Sequence, residues 1–390
     1  MKMNRRSFPL ICLTALLAAA CDKESAEQPL ETECIRFAAP SLSLDAANDA
    51  TRSTLYGSTA DLGDGFAFDV LGYCVPYDPA QIASGERSWQ EGTAVWSSKK
   101  RFSYPDVFGP TYRRTVTYRS GICTYAPLQR WYRTEDLPEA ARPIVDPENY
   151  NYTFFAFHPT SMELPSGNAT GAPQLRYSLP FEAGTEDTPR DHTRIEDAMV
   201  AAVYDYQRAR GDVQLTFKHI LSALQFRVNN YNDKGDDSDT NAIRITSIEL
   251  SGTFHRTATI DFAQASNVAD PAITVSDSFS GRFALLSDGG AQTVRPNQSG
   301  LVSAPLLLLP DDSDLGSGLR LTLKYEKCGA DGRWVQNDYD GRFDTMFAGT
   351  PMRGVRYTFH LNFLGNKLVI MATIDNNDYW DGSDNDITIN

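Results

Sequence analysis

The chain has 390 residues and is acidic, with 36 Lys and Arg against 50 Asp and Glu and a formal net charge of -14. A surface of this sign repels the phosphates of nucleic acids, so nucleic-acid binding is excluded as a function class. The 27 Gly and 21 Pro residues supply the turns that a many-stranded protein needs.

The N-terminus has the order of an export signal. Three basic residues precede an apolar run over residues 8–20, and Cys21 follows a run of three alanines. This order predicts a lipoprotein signal peptide over residues 1–20, cut after Ala20, with Cys21 acylated. An ordinary secretory signal with an incidental cysteine is the alternative. The run is too short to span a membrane, so we expect a protein anchored by lipid.

The mature chain is predicted to consist of a tether and two domains. Residues 21–33 are polar and are predicted to be flexible. The remaining chain exceeds one ordinary sandwich domain. We therefore predict domains over 34–208 and 209–390, divided where the polar stretch 207–212 interrupts the strand pattern.

Apolar and polar residues alternate with period two in several segments, which predicts an all-β fold of antiparallel sandwiches. The clearest examples are residues 66–70, 224–228, 319–325 and 357–363. Residues 152–157 carry aromatic rings on both faces, which predicts a central strand covered on both sides. Residues 367–374 are also apolar on both faces, which suits a buried central strand or a strand donated to a partner.

Motifs for enzyme chemistry and cofactor binding are missing from the sequence. It has no Gly-x-Ser-x-Gly, no His-Glu-x-x-His, no Walker loop and no dinucleotide fingerprint. We therefore predict no catalytic residue, no cofactor and no metal site, and a secreted hydrolase is the least supported hypothesis. The acidic loops 233–239 and 311–314 are interpreted as solvated loops in preference to calcium sites.

Four cysteines remain in the mature chain besides Cys21, namely Cys34, Cys74, Cys123 and Cys328. They have no metal-binding or small-domain spacing. Two disulfides or free buried thiols are both compatible with this pattern.

Five segments in order resemble motifs of the fimbrillin family, the type V pilins and related proteins of bacteroidete surfaces. They are the YTFFAFHP segment at 152–159, EDAMVA at 196–201, LTFKHILS at 215–222, GVRYTF at 354–359 and the terminal strand leading to Trp380. The resemblance implies two transthyretin-like β-sandwich domains in tandem. It also implies a precursor that is lipidated, displayed on the outer membrane and cut by an Arg-specific protease.

In that family, cutting removes the first strand, and a neighbouring subunit fills the groove with an extended segment. The resemblance implies that Ile35-Arg36-Phe37 is the removable strand, residues 38–50 the exposed connection and Arg52 the cleavage site. Arg52 is equally compatible with an ordinary surface residue. The implied partners are other fimbrial subunits, or further copies of this chain, joined by β-strand addition.

A second hypothesis is a surface lipoprotein that binds glycans and does not polymerise. Exposed aromatic rings would serve as its platforms, and Trp89, Trp96 and Trp131 are the candidates.

Overall fold

A computed structural model gives the fold. It describes residues 33–42, 62–76, 113–131, 150–164, 173–181, 189–235, 239–262, 271–286, 291–309, 319–342, 353–373 and 388–389. In chain order the strands are β1 (Ser41–Leu42), β2 (Ala67–Pro76), β3 (Arg114–Arg119), β4 (Ile122–Thr124), β5 (Tyr150–His158), β6 (Gln174–Ser178), β7 (Met199–Tyr206), β8 (Thr216–His219), β9 (Ser222–Asn230), β10 (Ile243–Asp261), β11 (Ala272–Ala284), β12 (Gln292–Val294), β13 (Gln298–Leu301), β14 (Leu306–Leu308), β15 (Arg320–Cys328), β16 (Trp334–Arg342), β17 (Arg356–Leu364), β18 (Lys367–Thr373) and β19 (Thr388–Ile389). Two 3-10 helices, His192–Arg194 and Arg208–Arg210, complete the described elements.

The strands form three sheets. The first has the order β1-β8-β7-β5-β2-β3-β4. The second has the order β11-β10-β15-β16, with β6 and β12 also paired to β10, and the third has β13-β9-β17-β18-β19, with β14 also paired to β9. The all-β class predicted from the alternating segments is therefore confirmed.

The second and third sheets enclose a large core. The alternating apolar residues of β9, β15 and β17 point into it, as their period of two requires. Phe226 of β9 stacks on Phe359 of β17 with ring centroids 5.3 Å apart, and Tyr325 meets Phe363 at 4.8 Å. We call the buried residues between these sheets, with the face of the first sheet that packs on them, the larger core.

The first sheet is covered on both faces, as predicted for residues 152–157. In β5, which lies in the middle of this sheet, Phe155 and Phe157 belong to the larger core. Phe154 and Ala156 point the other way, into a second cluster that we call the smaller core. The smaller core is closed by residues from the extreme N-terminal end of the described chain.

The strand pairings depart from the sequence prediction in two respects. Two pairs, β1 with β8 and β9 with β17, are parallel instead of antiparallel. In addition, β8 lies after the predicted boundary at 208/209 but belongs to the first sheet, whereas β6 lies before it and pairs with β10. The boundary stays a prediction, and each of these two strands pairs with a strand on the other side of it.

The expectation that residues 367–374 are buried on both faces is wrong for β18. Leu368 and Ile370 pack partly buried against the larger core. Val369, on the opposite face, is 46% exposed. One face of β18 therefore covers the core and the other meets solvent. Donation of this strand to a partner stays a prediction.

Candidate functional site: the groove of the N-terminal segment

Residues 33–42, which we call the N-terminal segment, lie in a groove between two backbone walls. The first wall is the stretch that follows β4. The amide of Ile35 donates to the carbonyl of Gln129 at 2.8 Å, and the amide of Trp131 donates to the carbonyl of Glu33 at 3.0 Å. The start of the segment therefore runs antiparallel to residues 129–131.

The second wall comprises residues 213–217. The amide of Ala38 donates to the Val213 carbonyl at 3.0 Å, and the Val213 amide donates to the Arg36 carbonyl at 2.7 Å. Ser41 donates its amide to Leu215 at 3.0 Å, where β1 joins β8 in parallel. The segment therefore satisfies backbone groups on both walls, although both walls lie far along the chain from it.

Apolar side chains fix the segment to the smaller core. Ile35, Phe37 and Leu42 are all buried. The ring of Phe37 meets Phe154 edge-on at 5.7 Å and Phe68 at 6.3 Å. Such edge-to-face pairs add about 0.5–1.5 kcal/mol each to the effect of area burial. Phe37 is therefore the main side-chain anchor of the segment.

Tyr125, between β4 and the first wall, holds the segment through hydrogen bonds of its hydroxyl. The hydroxyl donates to the carbonyl of Ile35 at 2.8 Å and accepts from the amide of Gln129 at 3.2 Å. Its ring also meets Phe37 edge-on at 5.9 Å. Burial raises the pKa of Tyr125 to about 12, so the hydroxyl keeps its proton and remains a donor at physiological pH.

The cysteines near the groove are free thiols. Cys123 donates its thiol to the carbonyl of Ala38 at 3.3 Å, and burial raises the pKa of this thiol to about 11. Cys34 and Cys328 are also outside any disulfide and are buried. This supports the free-thiol alternative for these three residues, and the side chain of Cys74 lies outside the described part of the chain.

The rim of the groove is polar. Arg36 on the segment forms an ion pair with Asp212, with Nη2 and Oδ1 2.9 Å apart. Gln214 donates its side-chain amide to the carbonyl of Ala39 at 3.0 Å. Both members of the ion pair are about half exposed, so we expect this pair to add less than about 1 kcal/mol.

A cavity of about 710 Å³ lies beside the segment. Phe37, Ala38 and Ala39 of the segment line it, together with Ile122 from the hairpin of β3 and β4. Leu128 and Tyr125 also line it. Ser120 and Gly121 both have positive φ, at 50° and 85°, the conformation of the two-residue turn that joins β3 to β4.

A buried hydrogen bond between a histidine and an aspartate supports the second wall. Nδ1 of His219, at the end of β8, lies 2.9 Å from Oδ2 of Asp197, and both side chains are almost fully buried. The amide of Ile220 donates to the carbonyl of Ala198 at 2.9 Å beside them. Asp197 and His219 belong to two different segments of the fimbrillin resemblance, and the fold brings them together. The sequence analysis did not identify this pair, because its two members lie 22 residues apart and no motif connects them.

The structure corrects the predicted extent of the segment. Residues 38–50 were expected to form an exposed connection. Instead, backbone pairing continues through Leu42, and Pro40 and Leu42 are buried, whereas residues 43–50 lie outside the described part of the chain. The physical reason is that the segment shifts from the first wall to the second and finds new backbone partners there.

Trp131 is not the exposed platform that a glycan site would need. It is only 5% exposed and belongs to the smaller core, where its ring meets Tyr152 edge-on at 4.7 Å and stacks with Tyr206 at 6.4 Å. The glycan-binding prediction is therefore wrong for this residue, because the first wall carries it inward.

Several predicted site residues lie outside the described residues: Ala20, Cys21, Arg52, Trp89, Trp96 and the acidic loop 311–314. Of the loop 233–239, residues 233–235 and Asp239 are described, and Asp239 forms an ion pair with Arg295 at 2.9 Å.

Within the described ranges, no three His, Cys, Asp or Glu side chains come together in a way that would hold a metal ion. Within those same ranges, none of the helices has the length and apolar character required to cross a membrane.

Comparison with known proteins decides the family. A model of the fimbrillin-like family matches residues 135–376, which is more than half of the chain. The chain belongs to the fimbrillin-like family. This membership supports a function as a fimbrial subunit or adhesin, a structural instead of an enzymatic role, and a location at the cell surface or in a fimbria. No curated protein matches this fimbrillin-like chain significantly.

Solved structures similar to this chain include three proteins described as adhesion or fimbrial proteins. A candidate cell adhesion protein from Bacteroides uniformis is 16% identical, with 81% of this chain and 93% of that chain covered and a TM-score of 0.44. A fimbrial protein from Bacteroides vulgatus is 17% identical, with 80% of this chain and 94% of that chain covered and a TM-score of 0.45. The tip fimbrial protein from Porphyromonas gingivalis, with a C-terminal truncation, is 8% identical, with 83% of this chain and 96% of that chain covered and a TM-score of 0.31.

Proposed function

We propose that this fimbrillin-like protein is a surface lipoprotein that joins neighbouring subunits of a fimbria or adhesive assembly by strand exchange. In this proposal Cys21 carries the lipid that anchors the precursor to the outer membrane, and an Arg-specific protease cuts after Arg52. The cut frees residues 21–52, which include the N-terminal segment. A strand of another subunit, or of a second copy, then takes the place of the segment.

The observation that carries the proposal is the double pairing of the N-terminal segment. Its loss would leave the amides of Trp131 and Val213 without the carbonyls to which they now donate. An unsatisfied buried backbone group costs about 1–3 kcal/mol. An extended strand from outside can supply the same carbonyls, which is the physical basis of β-strand addition.

Side-chain sockets would add to this driving force. The sockets of Ile35, Phe37 and Leu42 open onto the smaller core and would be exposed once the segment leaves. Burying an apolar side chain of this size contributes about 1.5–3 kcal/mol. An incoming strand with apolar side chains at matching positions would recover that contribution.

The experiment compares the protein on the native cell surface with and without an Arg-specific protease, by intact mass, N-terminal sequencing and unheated electrophoresis. The proposal predicts a chain that begins at Ser53 and runs as a heat-labile ladder of oligomers. Arg52→Lys should keep the acylated N-terminus and abolish the ladder, because an Arg-specific protease does not cut after Lys.

Arg333→Lys is the matched control, since Arg333 is a highly exposed arginine in the turn before β16 of the second sheet, whereas the groove belongs to the first sheet. This variant should mature and form ladders like the unmodified protein. A mature chain that keeps acylated Cys21 and stays monomeric would contradict the strand-exchange proposal.

A further inference from the structure

The groove is incompletely filled by its own segment. After the anchor Phe37 the segment presents two of the smallest side chains, Ala38 and Ala39, to the cavity of about 710 Å³. Ile122, which is 64% exposed, and Leu128, which is 46% exposed, line the same cavity. Two large apolar side chains are therefore left largely in contact with solvent at a cavity to which Ala38 and Ala39 contribute only methyl groups.

The polar groups around this cavity are already engaged. The Tyr125 hydroxyl bonds to the backbone on both sides, and the Cys123 thiol donates to the Ala38 carbonyl. Arg36 and Asp212 at the rim pair with each other. An additional occupant would therefore gain mainly by apolar contact, and a large aliphatic or aromatic side chain is the chemistry that fits.

The cavity is continuous with the groove, because the segment itself forms one of its sides. A side chain that fills the cavity can thus come from the strand that lies in the groove. A well-placed Leu would remove apolar surface of Ile122 and Leu128 from water and give the cavity wall the contacts it lacks.

We propose that the strand entering this groove from another subunit carries a large apolar side chain where the resident segment has Ala38 or Ala39. The resident segment binds in the groove tightly enough for the precursor to fold, but more weakly than the strand that replaces it. This inference rests on the proposed strand exchange and adds the chemistry of the incoming strand. It also gives the exchange a direction, since the incoming strand buries more apolar surface.

The first test fills the cavity from within the full chain, with Ala38→Leu and Ala39→Leu made separately. At least one variant should unfold at a higher temperature than the unmodified protein, because its segment covers Ile122 and Leu128. After cleavage, the same variant should release its segment at least tenfold more slowly and form the ladder correspondingly late.

The control shortens the two large apolar side chains that line the cavity. Combining the effective variant with Ile122→Ala and Leu128→Ala should abolish the gain in stability and the delay. Val335→Ala is a matched control, because Val335 is an equally exposed apolar residue on the edge strand β16. It should leave the gain intact.

The second test uses peptides that correspond to residues 33–42, with Cys34→Ala to prevent oxidation. Labelled peptides with Leu at position 38 or 39 compete with the unmodified peptide for the cleaved protein. The better Leu peptide should bind at least tenfold more tightly, which is the range expected for burying one large side chain.

The outcomes separate this inference from the proposed function. An unmodified protein that forms no ladder after cleavage refutes the strand exchange, and with it the inference. A protein that forms the ladder, while both Leu peptides bind no better than the Ala peptide and neither variant gains stability, refutes the inference alone. A gain that survives Ile122→Ala and Leu128→Ala also refutes it, because the gain then arises elsewhere.

Discussion

The two cores of this molecule are closed in different ways. The larger core lies between the second and third sheets, whose strands β15 and β17 each run over nine residues and meet through the rings of Tyr325 and Phe363. The smaller core is covered in part by the N-terminal segment, which has two strand residues and two isolated bridges. One core is thus enclosed by long sheets, whereas the other is covered in part by a short segment.

From this difference we infer that the stability of the sheets and the release of the segment depend on different contacts. Loss of contacts in the larger core should unfold the protein, whereas loss of contacts from the segment should open the groove and leave the sheets in place. Local opening at a free energy below that of global unfolding is expected for elements with few buried contacts. The predictions below test this separation, beginning with the largest effect.

Phe226→Ala should lower the free energy of unfolding by about 3–5 kcal/mol, because it leaves a cavity between the second and third sheets. Denaturant unfolding followed by circular dichroism measures the change. A loss below about 1 kcal/mol would contradict the interlocked larger core.

Phe37→Leu should cost less, about 1–2 kcal/mol, because Leu retains much of the buried area but loses the edge-on contacts with Phe154 and Tyr125. We expect the lost binding free energy to appear as faster release of the segment after cleavage, with little change in the circular dichroism of the sheets. Global unfolding of this variant at the temperature at which Phe226→Ala unfolds would show that the two cores are not separable.

Acid should weaken the rim of the smaller core near His158. Burial lowers the pKa of His158, and its Nδ1 lies 2.7 Å from the Ala67 carbonyl beside the ring of Phe66. Because the folded pKa is below that of the unfolded chain, His158 contributes stability above about pH 6.5, and this is lost as the pH falls below that value. His158→Gln should flatten the fall in unfolding temperature between pH 7 and pH 5, and an unchanged slope would assign the acid sensitivity to other groups.

Arg36→Ala should have the smallest effect, below about 1 kcal/mol, because the ion pair with Asp212 is half exposed. The rate of segment release should change by less than about fivefold and should depend weakly on salt. A larger change would show that the rim holds the segment more than the smaller core does.

The sequence predicted the side-chain pattern of strands better than their partners. Alternation identified β9, β15 and β17, and rings on both faces identified β5 as central, because a pleated strand sends successive side chains to opposite faces. Alternation contains no information on which strand lies alongside, or in which direction. The parallel pairs and the strands that cross the 208/209 boundary therefore escaped prediction.

The site was predictable only in part. The family motifs pointed to Ile35-Arg36-Phe37, and the structure places these residues in a groove. Tyr125 and the cavity were missed, because a single tyrosine after a short hairpin has no distinctive pattern and a cavity depends on residues brought together by the fold. Trp131 was misassigned for the same reason, since composition does not show which way a ring points.

Hydrogen exchange at the amides of Trp131 and Val213 tests the central claim most directly, because these two amides donate to the N-terminal segment on opposite walls. The account predicts that both are protected in the precursor, lose protection when the cut segment is removed and regain it in the assembled ladder. Amides that stay protected without the segment, or stay unprotected in the ladder, would contradict exchange of a strand in this groove.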